Sequence, residues 1–208
     1  SWLPWQDGMQ QARRFVESEG GGVEQLCAFE LRCPRPHSMG GFIGFNEAYR
    51  NMLEQWGVVV DSQNPIARTN VAPVEDAPDE TVLHAFSFVR PSRHACRTFV
   101  VAGGGELIGP LAVENIVRAG DVTPDALREK ATVVMNLMLQ RLRGLGGVPA
   151  DLTTIDVYTA HDAPTLITQA VTPELTDSPA EVVWFKARPP IIDIEFEMDM
   201  RATVEVIL

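Results

Sequence analysis

Phe99-Val100-Val101-Ala102-Gly103-Gly104-Gly105 is the stretch on which the fold turns. Its β-branched and apolar residues predict a strand over 98–102. Three consecutive glycines then predict a stop, with the chain turning near Leu107-Ile108. Downstream, Thr123 has the chemistry of an N-cap, Pro124 fits the first helical position, and Asp125 suits the positive end of a helix dipole. Leu127, Ala131, Val134, Met138 and Leu142 then share one helical stripe until Gly144, Gly146 and Gly147 end it. A strand over 152–158, a short helix over 162–169 and two closing strands over 181–187 and 191–207 complete this half.

The residues before 98 follow the same order. Met9, Ala12, Phe15 and Val16 recur at helical spacing up to Gly20-Gly21-Gly22. A strand over 26–31 is broken by Pro34 and Pro36, and Phe45, Ala48, Tyr49, Met52 and Trp56 form a second amphipathic helix. Strands over 66–72 and 81–89 follow, separated by an acidic loop. The order helix, glycine stop, strand, helix, strand, strand therefore occurs twice, and only the second occurrence has its own leading strands. We expect about one and a half tandem copies of one α+β unit, 1–92 and 93–208, with a sheet layered on helices.

Composition narrows the function. Of 208 residues, 17 are basic and 28 acidic, a net charge of −11, so a nucleic-acid backbone is repelled and no local basic patch reverses this. No apolar run approaches the roughly 20 residues of a membrane span, and the first residues lack the order of a signal peptide. A soluble, cytoplasmic protein is expected. Cys27, Cys33 and Cys96 have no metal-type spacing and are expected as reduced thiols. His37, His84, His94 and His161 are scattered, with no pair at metal-ligand spacing, so no metal is expected. A start at Ser1 without methionine implies that residues were removed, and nothing downstream supports Ser1 as a nucleophile.

Several strings resemble one family. In the second half these are 99–105, Met135-Asn136-Leu137, Leu145-Gly146-Gly147 and Asp156-Val157-Tyr158; in the first, Phe45-Asn46-Glu47-Ala48-Tyr49 and Ala67-Arg68-Thr69-Asn70-Val71. In their order and separation they resemble the RidA family, the YjgF-type enamine/imine deaminases. The resemblance implies a chorismate-mutase-like mixed sheet with two helices on one face, assembled as a ring of three units with sites in the clefts between them. It implies a small-molecule substrate, no cofactor, an arginine pairing the substrate carboxylate, backbone amides of a glycine turn, and a glutamate ordering water.

Carried over residue by residue, Arg68 resembles the family's arginine, whose planar fork suits both oxygens of a carboxylate. Gly104 and Gly105 resemble the glycine turn. The family's glutamate position, six residues after Pro78, holds His84 here. The same count from Pro189 reaches Glu195, while the arginine position of the second copy falls near Ala180. Each copy thus keeps one half of the pair, and a composite site is one way to complete it. Arg188, before Pro189-Pro190, is a second candidate for substrate binding, although an arginine flanking a strand is more often a surface residue.

The segment 193–201 alternates strictly, so Asp193, Glu195, Glu197, Asp199 and Arg201 are expected on one strand face. One reading is a solvated acidic face over Ile194, Phe196, Met198 and Met200. The other puts Glu195 or Glu197 in a cleft as a general acid/base, with the count favouring Glu195. Three functions follow: hydrolytic deamination of a carboxylate-bearing enamine or imine such as a 2-aminomuconate; non-catalytic metabolite binding; or, by fold analogy alone, chorismate conversion.

Overall fold

A computed structural model describes residues 2–207; Ser1, and with it any N-terminal nucleophile, lies outside the described residues. The first half contains β1 (Leu3–Pro4), α1 (Trp5–Ser18), β2 (Leu26–Arg32), α2 (Met39–Gln55), β3 (Ala67–Pro73) and β4 (Val82–Phe88). The second contains β5 (Phe99–Gly105), α3 (Pro124–Gly144), β6 (Thr154–Thr159), α4 (Ala163–Leu166), β7 (Glu181–Arg188) and β8 (Glu197–Ala202).

Local chemistry sets these boundaries. The Ser38 hydroxyl accepts from the Gly41 amide at 3.1 Å and starts α2. Thr123 accepts from the Ala126 amide at 3.4 Å and starts α3, with Pro124 following it. Gly146, at φ +72°, turns the chain out of α3 in a conformation that disfavours a side chain. The last predicted helix is shorter than expected, because the chain opens into a wide π turn over Ile167–Val171.

The eight strands form one mixed sheet in the order β1-β4-β2-β3-β7-β6-β8-β5. Parallel pairs β2/β3 and β6/β7 are each flanked by antiparallel neighbours. The order β1-β4-β2-β3 is mirrored by β5-β8-β6-β7, and the halves join where Ala72 and Pro73 pair with Arg188 and Ala187. β1 has two residues where β5 has seven. Helices cover one sheet face: Trp5, Met9, Phe29, Leu31, Tyr49 and Leu53 pack in the first half. Val134, Met138, Leu142, Ile155, Phe196 and Met198 pack in the second. Each such burial contributes roughly 1.5–3 kcal/mol.

Two expectations are corrected. Gly103–Gly105 does not turn; the strand runs through it, with Gly104 opposite Met198 and Gly105 opposite Glu197. The register slips by one residue between Val101 and Gly104, the signature of a β-bulge, and the extra residue absorbs the glycines without ending the strand. The closing strand is also only Glu197–Ala202, because Asp193 adopts φ 72° and breaks the alternation before it. Its acidic face is not solvated. Glu197 and Asp199 are 5% and 0% exposed, since the sheet curls until this face meets β2 and β3 of the other half.

Candidate active site

Arg68 is the second residue of β3, on the side facing α2. Its Nη2 donates to the Asn46 Oδ1 at 2.6 Å, and its guanidinium carbon lies 4.6 Å from the Tyr49 ring centroid and 5.3 Å from that of Phe45. Aromatic faces stabilise a cation that has lost much of its water. Burial lowers the guanidinium pKa, while Tyr49 and Glu197 oppose that shift. An arginine still stays charged at any ordinary pH. The group opens into a cleft of about 600 Å³ between the halves, whose far wall is Val100–Ala102 of β5 and Arg141 of α3.

Glu197 heads β8, paired with Gly105 on one side and Tyr158 on the other. Burial pushes its pKa up to about 8, Asp199 adds to the rise, and Arg68 and Arg141 pull against it. The carboxyl accepts no hydrogen bond from the described residues, so both lone-pair sets are open to a ligand or water. The glycine bulge makes its position possible. A methyl group on Gly103 would lie 2.6 Å from the Glu197 Oε1 and 3.2 Å from the Thr69 Cα; one on Gly104 would lie 2.8 Å from the Arg141 Nη1. Arg141 Nη1 donates to the Ala102 and Gly103 carbonyls, each at 2.8 Å, and so satisfies groups that the bulge releases from the ladder.

Behind Glu197 a charged network ties the two halves together. Arg201 bonds Glu30 of β2 at 2.6 Å, Asp156 of β6 at 2.6 Å and Asp199 at 2.8 Å. Asp199 also accepts from the Thr69 hydroxyl at 2.6 Å and the Tyr158 hydroxyl at 3.0 Å. Burial, then Asp199, raises Asp156 to about 7. A second buried pair, Lys130 and Glu106 at 3.3 Å, fixes the segment before β8, because Glu106 accepts from the amides of Glu195 and Phe196 at 2.6 and 3.0 Å.

The structure therefore puts Arg68 of the first half on the wall of the cleft, with Arg141 facing it, and Glu197 of the second half buried near enough to both for their charges to act on one another. Glu195 lies outside this arrangement, its carboxylate bonded to the His161 Nε2 at 2.7 Å. The count from Pro189 points to Glu195, but the left-handed Asp193 delays the strand and Glu197 is the first residue in register. Arg188, opposite Ala72, is exposed, does not line the cleft, and its side chain makes no hydrogen bond with the described residues. Gly104 and Gly105 act through the room they leave and not as a turn of free amides. His84, on β4, lies edge-on to the Trp2 ring, and its pKa is lowered first by partial desolvation and then by Arg32. Arg141, Asn46 and Tyr49 escaped the sequence reading. For Arg141 a signal existed: it stands seven residues after Val134 and three after Met138, a cation at the edge of a buried stripe.

A mixed sheet of two mirrored halves, with helices on one face and a cleft between the halves, defines a chorismate-mutase-like α+β protein. Among solved structures the chain is similar to a chorismatase, at 15% identity and a TM-score of 0.59 over 93% of this chain and 68% of that one. It is also similar to the YjgF gene product of E. coli, at 16% identity and a TM-score of 0.37 over 54% of this chain and 84% of that one. The model of the family described as 2-aminomuconate deaminase CnbZ matches residues 1–207, and this chain belongs to that family. A 2-amino-5-chloromuconate deaminase of Comamonas testosteroni is 41% identical over 209 residues, spanning 97% of this chain and 82% of that protein.

Proposed function

We propose that this protein hydrolyses the C–N bond of a 2-aminomuconate-type dicarboxylic enamine, releasing ammonia and a 2-oxo acid. The observation that carries the reading is that Arg68 and Arg141 line one cleft and both act electrostatically on Glu197, a buried acid without a hydrogen-bond partner among the described residues. Arg68 pairs the carboxylate beside the amino-bearing carbon, and Arg141 adds positive potential for the second carboxylate. Glu197, protonated near neutral pH, gives its proton to the enamine carbon β to the nitrogen and leaves an iminium. Its carboxylate then takes a proton from water as the water oxygen bonds to the iminium carbon, the one that bears the nitrogen. Glu197 returns the proton to nitrogen, the C–N bond breaks, and the hydroxyl proton of the resulting carbonyl restores the acid. One water enters and one ammonia leaves. Family membership and the 41% identical muconate deaminase support the substrate class.

The test is ammonia release from 2-aminomuconate and its 5-chloro analogue, with chorismate as a control. Release from the aminomuconates alone supports the reading; binding without release leaves a metabolite binder, and consumption of chorismate moves the protein to another reaction. Within this reading, Arg68→Lys should raise KM by roughly 10–100-fold with the fold retained, because lysine keeps the charge and loses the fork. Unchanged KM in the folded variant would make Arg68 structural.

The mirrored strand order supports our reading of the chain as about one and a half tandem copies, meeting near residues 92 and 93. We further infer a ring-type homo-oligomer. Phe185 supports it: it is 37% exposed on a strand in the middle of the sheet, beside Tyr158 on the face opposite the core residue Val157, where a neighbouring chain would cover it. Light scattering should give a multiple of the chain mass at about micromolar concentration, and the monomer mass would remove the claim. No helix among the described residues is long and apolar enough to cross a membrane. Three free cysteines fit a reducing compartment such as the cytoplasm.

A further inference from the structure

The reaction as derived leaves one polar group of the cleft idle. Tyr49, on α2, lines the cleft and is 3% exposed. Its ring packs against Trp5 at 6.2 Å between centroids and lies beneath the Arg68 guanidinium. Its hydroxyl is buried and has no hydrogen-bond partner among the described residues. Asn64 lies near enough to pull the phenol's pKa down, but no hydrogen bond of normal geometry joins the two, and the Asn64 amide is held to the backbone of Ile66 at both ends, at 2.9 and 3.0 Å. A buried hydroxyl without a partner is unfavourable, and native proteins keep few of them.

The ring alone would serve the core. Phenylalanine offers the same packing and the same aromatic face to Arg68, so the oxygen contributes nothing to the fold as it stands. Arg68 has meanwhile given its Nη2 to Asn46, and a carboxylate has two oxygens with about four acceptor positions, more than the rest of one fork can fill. We propose that the Tyr49 hydroxyl donates to the substrate carboxylate that Arg68 pairs, making Tyr49 a specificity-determining residue for a carboxylate at that position. This rests on the deaminase reading of the same cleft. Burial pushes the phenol up to about 12, so it stays a donor across the working pH range.

Tyr49→Phe separates this role from a structural one. The probe is cis,cis-muconate, a dicarboxylate without the amino group, titrated calorimetrically into wild type and variant, alongside KM and kcat for 2-aminomuconate. We expect Kd and KM to rise roughly 10–100-fold, as for loss of a hydrogen bond to a charged group, with kcat changing far less. The unliganded Tm should stay level or rise, since no bond of the folded protein is removed. A variant that matches wild type in Kd and KM, or that melts markedly lower without ligand, overturns the inference. Wild type that binds muconate and releases ammonia while Tyr49→Phe does so equally well removes only the Tyr49 role. Wild type that does neither removes the deaminase reading, and the Tyr49 role with it.

Discussion

Glu197→Gln should lower turnover by roughly 10²–10⁴-fold while leaving muconate binding nearly unchanged. Glutamine keeps the size of the side chain and its ability to accept, but it can neither deliver nor take up the proton that each step needs. Wild-type kcat/KM should also fall as pH rises through about 8, where the acid form of Glu197 is lost. Stability gives an independent check. The folded-state pKa lies above that of the unfolded carboxyl, so the native state binds its proton more tightly. Wild type therefore loses stability as pH rises from about 4.5 through about 8, and the loss is complete above that window. The glutamine variant lacks this titration, so its Tm relative to that of wild type should rise between about pH 5 and about pH 9. A variant that keeps wild-type turnover would return Glu197 to the role of a buried structural acid.

Glu197 also illustrates what the sequence could and could not say. Alternation over 193–201 reports which residues share a face, and from Glu197 onward it does so correctly. It does not report what that face meets. The partners of Asp199 and Arg201 are Thr69 and Glu30, 130 and 171 residues away, so an interior surface between two halves reads like a solvated one. Helix α3 was legible because its cap, proline, apolar stripe and terminal glycines are all local. Arg68 was legible only through its resemblance to a family motif, since neither its aromatic surroundings on α2 nor Glu197 on β8 leaves a local trace. The glycines misled for a physical reason: a run that usually ends a strand here gives clearance to Glu197 and Arg141 inside one.

Arg201→Met should produce the largest loss of stability. Arg201 is the cation shared by Glu30, Asp156 and Asp199, and Arg32 reaches only Glu30, at 3.3 Å. Methionine restores much of the volume but leaves buried carboxylates without their counter-charge, which typically costs 3–5 kcal/mol, or about a third or more of the stability of an ordinary domain. The loss should fall on the junction of the halves, because the arginine reaches from β8 to β2 as well as to β6. Its pH dependence follows from sign. Asp156, already raised to about 7, and Asp199, raised by burial, lose the charge that pulled them down, so their folded-state pKa values climb further above the unfolded ones. Protonated, they no longer need Arg201; ionised, they do. Urea unfolding should therefore show a deficit that is smallest near about pH 5 and grows through about pH 8. Arg201→Lys, which keeps the charge but not the fork, should fall between the two. A deficit of the same size at every pH would mean that Arg201 works by packing alone, and wild-type stability throughout would mean that the hub does not hold the halves together.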